Sequence, residues 1–202
     1  MKTLSLSKIT LTIKILYPLW MIIGMLALMH IPSLYYVSGN PIETTNNIKS
    51  NEMIFRLGIV ANIITQLLAI FIPILLYWLF KSVSSNKAQL MLILNLIAIP
   101  IAMYGNVHLL EALELLDNPE QMMRHIKMSH YGTTIAYIFW GLWLFPLGSL
   151  AITSKYFPKV IGYALYVGDV VSIPIGLNTT SSRGYADDAY SPKGTAHITA
   201  YI

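Results

Sequence analysis

A histidine followed by two glutamates at three-residue steps, His108, Glu111 and Glu114, is the densest concentration of reactive side chains in this 202-residue chain. Imidazole nitrogens and carboxylate oxygens together ligate zinc or iron, and His125 or His130 could complete such a set. Steps of three drift around a helix, however, and an ordinary hydrated helix end produces the same pattern. A second group lies within apolar stretches: Asn62, Gln66, Asn95 and Asn106. Asn62 and Gln66 stand one helical turn apart, and the interval from Asn95 to Asn106 is nearly three whole turns, so each pair would share a face. Amides are costly in hydrocarbon and are candidates for function there. They would line a path for a small molecule or ion between two helices. The plainer use is hydrogen bonding between helices, worth about 0.6–2 kcal/mol per contact. Asp169 is a third candidate, as a proton or cation site or as the mark of where membrane sequence ends.

Much chemistry is excluded. The chain has no cysteine, so disulfides, thiolate nucleophiles and Cys-based zinc or iron–sulfur sites are absent. It has no Gly-rich phosphate loop, Gly-x-Ser-x-Gly elbow or His-Glu-x-x-His pair, and no cofactor is expected. The net charge is +4, but the basic residues sit singly or in short linkers rather than in a stripe, which argues against a nucleic-acid partner.

The elements that would position these residues follow from composition. The chain is 55% hydrophobic and 11% charged, less than half the charged share of about 25% usual in soluble domains. Its apolar residues fall in blocks over about 13–36, 53–80, 90–110 and 133–152, with a shorter one at 160–175. At 1.5 Å per residue the first four reach the ~30 Å of a hydrocarbon core. Val160–Ile175 falls short. Pro73 and Pro100 lie mid-segment and are expected to kink their helices. Gly132, Gly141 and Gly148 would permit close helix approach on segment four. Asn118-Pro119-Glu120-Gln121 carries the residues of a capped helix start, and a short helix lying on the membrane surface is expected from there to His130. Val37–Glu52 is expected to be a loop.

Charge sets the orientation. The N-terminal tail and the linkers Lys81–Lys87 and Lys155–Lys159 hold seven lysines and no acidic residue. Val37–Glu52 and Glu111–His130 hold six acidic residues against three basic ones. The positive-inside bias then puts the N-terminus in the cytoplasm.

Three stretches carry a family likeness. They are Asn51-Glu52-Met53-Ile54-Phe55-Arg56-Leu57-Gly58-Ile59; His130-Tyr131-Gly132 with Phe139-Trp140-Gly141-Leu142-Trp143-Leu144-Phe145-Pro146-Leu147-Gly148; and Phe157-Pro158-Lys159-Val160-Ile161-Gly162. In order and spacing the sequence resembles the bacterial membrane-protein family catalogued as domain of unknown function 4386, over roughly residues 13–168. The resemblance implies a multi-helix protein of the bacterial inner membrane and no particular activity or site. Members of that family continue with hydrophobic sequence after this region, whereas here the chain turns polar near Gly168–Gly176. A frameshift or truncation that replaced the final helix would produce this ending. Resequencing the codons for Val167–Leu177 tests the idea, and an intact frame shared by independent isolates rules it out.

The expected fold is therefore all-α, a polytopic transmembrane helix bundle of four to five spans with a cytoplasmic N-terminus. Residues 1–176 form the membrane domain, and 177–202 a polar, disordered tail. The bilayer is the one certain partner, and a partner helix or a second copy would complete the weak fifth span. Three readings compete beneath an integral membrane protein of unassigned activity. One is a permease-like or small-molecule-binding bundle using Asn62, Gln66, Asn95 and Asn106. Another is an intramembrane metal-assisted enzyme using His108, Glu111 and Glu114. The third is a non-catalytic structural or partner-binding subunit.

Overall fold

The computed structural model describes residues 6–154 and 156–167, and among them every regular element is helical. The first span opens as α1 (Leu6–Met25), widens to one π-helical turn (Leu26–His30) and closes as α2 (Ile31–Tyr35). The widening has a local cause. Pro32 donates no hydrogen bond, and its ring crowds the carbonyl four residues back, at Leu28. In the wider turn Ile31 N–H reaches Leu26 O instead, so the chain passes the proline without leaving the helix.

The remaining elements are α3 (Pro41–Ser50), α4 (Glu52–Phe80), α5 (Ser85–Glu114), α6 (Pro119–Leu142) and α7 (Leu144–Thr153), followed by α8 over 159–167. Four helical runs, Leu6–Tyr35, Glu52–Phe80, Ser85–Glu114 and Pro119–Thr153, are long and apolar enough to cross a membrane. Helices α4 and α5 continue through Pro73 and Pro100.

Several expectations require correction. Helix is already formed at Leu6, ahead of the expected span start near Ile13. The expected loop Val37–Glu52 contains α3, capped by Asn40 through the Glu43 N–H at 3.0 Å, with the Asn40 amide donating back to Glu43 Oε2 at 2.8 Å. The stretch is as clear a capping signal as the one at Asn118. Asn118 does accept from Gln121 N–H, at 3.3 Å, but the helix it starts does not end at His130 to lie on the surface. It continues unbroken into segment four as α6, because Ser129, Gly132 and Ala136 keep facing α5 where a surface helix would have to bend away. Segment four instead breaks at Trp143, between α6 and α7. Of the expected fifth span, 160–167 is helical, while its remainder, Asp169, Pro174 and the polar tail lie outside the described residues.

The α5–α6 hairpin is the centre of the bundle. On α5, Ala88 and Met91, which pack with Leu147 and Leu150 of α7, continue into Asn95, Ala98, Ala102, Gly105, Leu109 and Ala112, all buried or glycine and in alternating steps of three and four. That is the spacing of a left-handed helix–helix seam. Small side chains dominate it because lipid supplies no hydrophobic drive for helices to meet, so attraction must come from close van der Waals approach. The closest approach is at Gly105, where an added Cβ would lie 3.1 Å from the Ser129 carbonyl oxygen, facing Gly132. A second small-residue contact joins α7 to α8, where a Cβ on Gly148 would lie 3.0 Å from the Gly162 carbonyl oxygen. The first span is peripheral: 11% of its apolar window is buried, against 39–44% in the others.

The two ends of the bundle differ in charge. Ile9 and Ile13 of α1, Phe80 of α4 and Ala88 of α5 share one cluster with Leu150 of α7. Phe80 also stacks against Tyr156 and Phe157, and Lys87 donates to Ser149 at 2.7 Å. The lysine-bearing segments therefore gather at this end, where Lys81 also lies 3.7 Å over the Trp78 ring. At the other end α3 packs on α6, and Lys49 pairs with Asp117 at 2.8 Å, joining the two mixed-charge connections. The Lys49 ammonium, by its hydrogen bond and then its charge, holds the exposed Asp117 carboxyl below the usual carboxylate range. The turn before α3 uses Gly39 at φ +69°, the left-handed conformation that a glycine adopts without strain. Buried Thr44 bonds both the N–H and the carbonyl of Val37, at 3.0 and 3.2 Å.

Candidate functional site

Two arrangements gather polar or reactive side chains in the described structure. The first is a cleft of about 210 Å³. Its floor is α4 (Thr65, Gln66, Ala69), one wall is the first span (Trp20, Met21, Gly24, Leu28), and the other is Tyr137, Trp140 and Trp143 of the α6–α7 region. It exists because α1 packs along α4 without an extended contact with α6, which leaves a gap above α4. The Leu26–His30 π turn supplies Leu28 to the rim. Aromatic rings shape the cleft: Trp20 meets Trp143 edge-on at 6.4 Å, and Tyr137 meets Trp140 at 5.6 Å. The Trp20 indole N–H is satisfied by Thr65 O at 3.0 Å, and the Thr65 hydroxyl by Ala61 O at 2.8 Å. Two groups are left over. Gln66 is 2% exposed, and its Oε1 has no hydrogen-bond partner; neither has the Trp140 Nε1–H. Both residues line the cleft, and each of these two atoms is buried without a partner, at a desolvation cost of about 1–3 kcal/mol.

The four amides expected inside the apolar blocks are all buried, Asn62 at 8%, Gln66 at 2%, Asn95 at 0% and Asn106 at 6% exposure. They do not form one lining. Gln66 alone of the four reaches the cleft. Asn106 turns to its own helix, with a long bond to Ala102 O at 3.4 Å. Asn95 lies in the seam between α5 and its neighbours, and neither its amide nitrogen nor its oxygen has a partner. The indole groups of Trp20 and Trp140 were not among the expected site residues. Their signal in the sequence was an ordinary one, tryptophan in a membrane segment, with nothing to separate cleft from lipid belt.

The second arrangement joins α5 to α6. Glu111 Oε2 lies 2.8 Å from His108 Nδ1 and 2.7 Å from His125 Nδ1, and the two Nδ1 atoms are 3.3 Å apart. His108 and Glu111 directly precede the buried Leu109 and Ala112 of α5, and His125 directly precedes Ile126, which with Met122 shares a buried cluster with Leu109 and Ala112. Tyr104 packs edge-on against the His108 ring at 4.8 Å. Of the expected set, His108 and Glu111 are brought together and His125 completes the group. Glu114 is exposed on the surface and lies outside it. His130 is also outside, its ring tilted against Tyr36 at 5.1 Å. At the start of α4, Arg56 Nη2 lies 2.7 Å from Glu52 Oε1. This exposed i, i+4 pair is worth about 0.3–0.5 kcal/mol and joins neither arrangement.

Four apolar spanning helices around a small-residue hairpin define a multi-pass α-helical membrane protein. Residues 14–177 match the family model described as domain of unknown function (DUF4386), and the chain belongs to that family. The match runs nine residues beyond the expected likeness and ends where the last leucine of the sequence, Leu177, stands. No curated protein and no solved structure matches the chain.

Proposed function

We propose that this membrane protein binds a small, uncharged molecule in the cleft between the first span and α6, as a permease-like or small-molecule-binding bundle does. The observation that carries the reading is the pair of unpaired groups there, the Gln66 carbonyl oxygen and the Trp140 indole N–H. Once the two side chains turn toward the cleft, a ligand with one donor and one acceptor, such as an amide or an alcohol, would satisfy both. The lining holds no charged side chain, which favours a neutral ligand, since an ion would enter without a counter-charge. The volume is below the ~300–1,000 Å³ of sites for drug-sized ligands, which favours a small one. Met21 at the rim is 52% exposed, so entry from the lipid side fits the geometry.

The test is a thermal-shift screen of neutral amides and alcohols on the full chain in lipid nanodiscs. The expected result is a saturable rise in melting temperature that Gln66→Leu abolishes and that Trp140→Phe weakens about three- to tenfold, the cost of one hydrogen bond. Asn106→Leu should leave the ligand response unchanged. If no compound shifts the wild type, or if Gln66→Leu responds equally, the cleft is not a binding site.

We further propose that the protein lies in the bacterial cytoplasmic membrane with its lysine-rich end inside. The support is the gathering of the lysine-bearing segments at one end and the Lys49–Asp117 pair at the other. The absence of cysteine makes a direct test simple. Ser84→Cys should react with an impermeant maleimide only after cells are opened, and Glu120→Cys should react in intact cells. The reverse pattern would invert the topology.

A further inference from the structure

We infer that His108, Glu111 and His125 form a binding site for a divalent first-row transition cation, zinc being the best match to two imidazole nitrogens and one carboxylate oxygen. The inference is independent of the cleft and shares no residue with it.

The geometry is that of three ligands converging on a point. A cation bound at about 2.0–2.1 Å sets its ligands about 2.9 Å apart at right angles and about 3.4 Å apart at tetrahedral angles. The triangle formed by His108 Nδ1, His125 Nδ1 and Glu111 Oε2 has edges of 2.7, 2.8 and 3.3 Å, within about 0.2 Å of that range. Without a cation and with Glu111 ionised, both rings offer Nδ1–H to the same carboxylate oxygen, and the 3.3 Å approach of the two nitrogens then joins two donors. With a cation, both Nδ1 lone pairs and the oxygen point inward, and each Nε2–H is free to face outward.

The support is rigid. Two ligands come from one turn of α5 and the third from α6, across the closely packed α5–α6 pair, so the separation is fixed by packed backbone rather than by loops. Tyr104 limits the rotation of the His108 ring. The side chains of His108 and His125 are 14% and 30% exposed, and that of Glu111 46%. The group is thus sheltered on the protein side and open to solvent on the other, leaving coordination positions for water or another ligand, as in exchangeable rather than closed structural zinc sites.

The experiment is zinc titration by calorimetry on the full chain in detergent, with metal content measured after dialysis. One zinc per chain is expected. Glu111→Gln and His125→Ala should each weaken binding at least tenfold, while Glu114→Gln should leave it unchanged. Glu111→Gln preserves shape, and the wild type supplies a second readout: its melting temperature should rise with zinc and fall back with a chelator. Retention of less than a stoichiometric amount of zinc, affinity undiminished in His125→Ala, or affinity lost in Glu114→Gln would each overturn the assignment. A cleft that fails its own ligand screen leaves these outcomes unaffected.

Discussion

Gly105→Leu is expected to lower the stability of the bundle by about 3 kcal/mol or more, and Gly105→Ala by about 1 kcal/mol. At this position an added Cβ meets the Ser129 carbonyl oxygen at 3.1 Å and the Ser129 hydroxyl oxygen at 3.4 Å. The first of these is helix backbone and cannot swing aside as a flexible side chain would. Relief requires α5 and α6 to separate, and separation costs contacts along the whole seam, because small residues on both helices hold the backbones close. The loss is read as the midpoint of unfolding in mixed micelles containing SDS, followed by tryptophan fluorescence. A Gly105→Leu protein with unchanged stability would show that the close approach of α5 and α6 is wrong. The same separation would pull His125 from His108 and Glu111, so zinc affinity should fall in parallel with stability across Gly, Ala and Leu.

The second large effect has the opposite sign. Asn95→Ala should raise stability by about 1–3 kcal/mol, since it removes two buried polar groups that have no partner, each costing about 1–3 kcal/mol. Alanine already occupies Ala88, Ala98, Ala102 and Ala112 of the same seam, so the smaller side chain suits its surroundings. Two effects reduce the gain. The removed amide leaves a small void, at roughly 24 cal/mol per Å³, and the unfolded helix in detergent also finds partners for some of its polar groups. The same unfolding midpoint measures the outcome. A clear loss of stability would mean that the Asn95 amide is hydrogen-bonded in the membrane-embedded protein, through water or a second chain. Asn95 would then belong with the functional polar residues rather than with the burdens of the core.

The two variants explain why the amides and the acidic cluster behave differently from their appearance in the sequence. Asn62, Gln66, Asn95 and Asn106 are equivalent as sequence features, polar residues in greasy helices, and burial is the property they share. What separates them is the rotation of each helix about its axis. Gln66 turns toward the gap left by the peripheral first span, and Asn95 turns into a seam already closed by small residues. Likewise His108 and Glu111 are neighbours by helical spacing, which a sequence displays. Glu114 continues the same spacing but has drifted around α5 to the exposed side, and His125, seventeen residues from His108 along the chain, has taken its place.

Spans, their order and the charge difference between the two sets of connections were determined by the sequence alone. Hydrocarbon demands a minimum length of apolar helix whatever the neighbours are, and that demand is local. The caps at Asn40 and Asn118 are equally local and equally written in the residues, and α3 resembles a loop only because its apolar content is low. Tertiary structure alone decided that α6 runs unbroken from its cap into segment four, that a cleft opens beside Gln66 and Trp140, and that two histidines share one carboxylate oxygen. Each of these depends on the depth and rotation at which one helix meets another. In lipid, where no water is expelled to drive helices together, those are fixed by the fit of small residues such as Gly105 and Gly132 across a seam. No single segment contains that information, because it belongs to the pair.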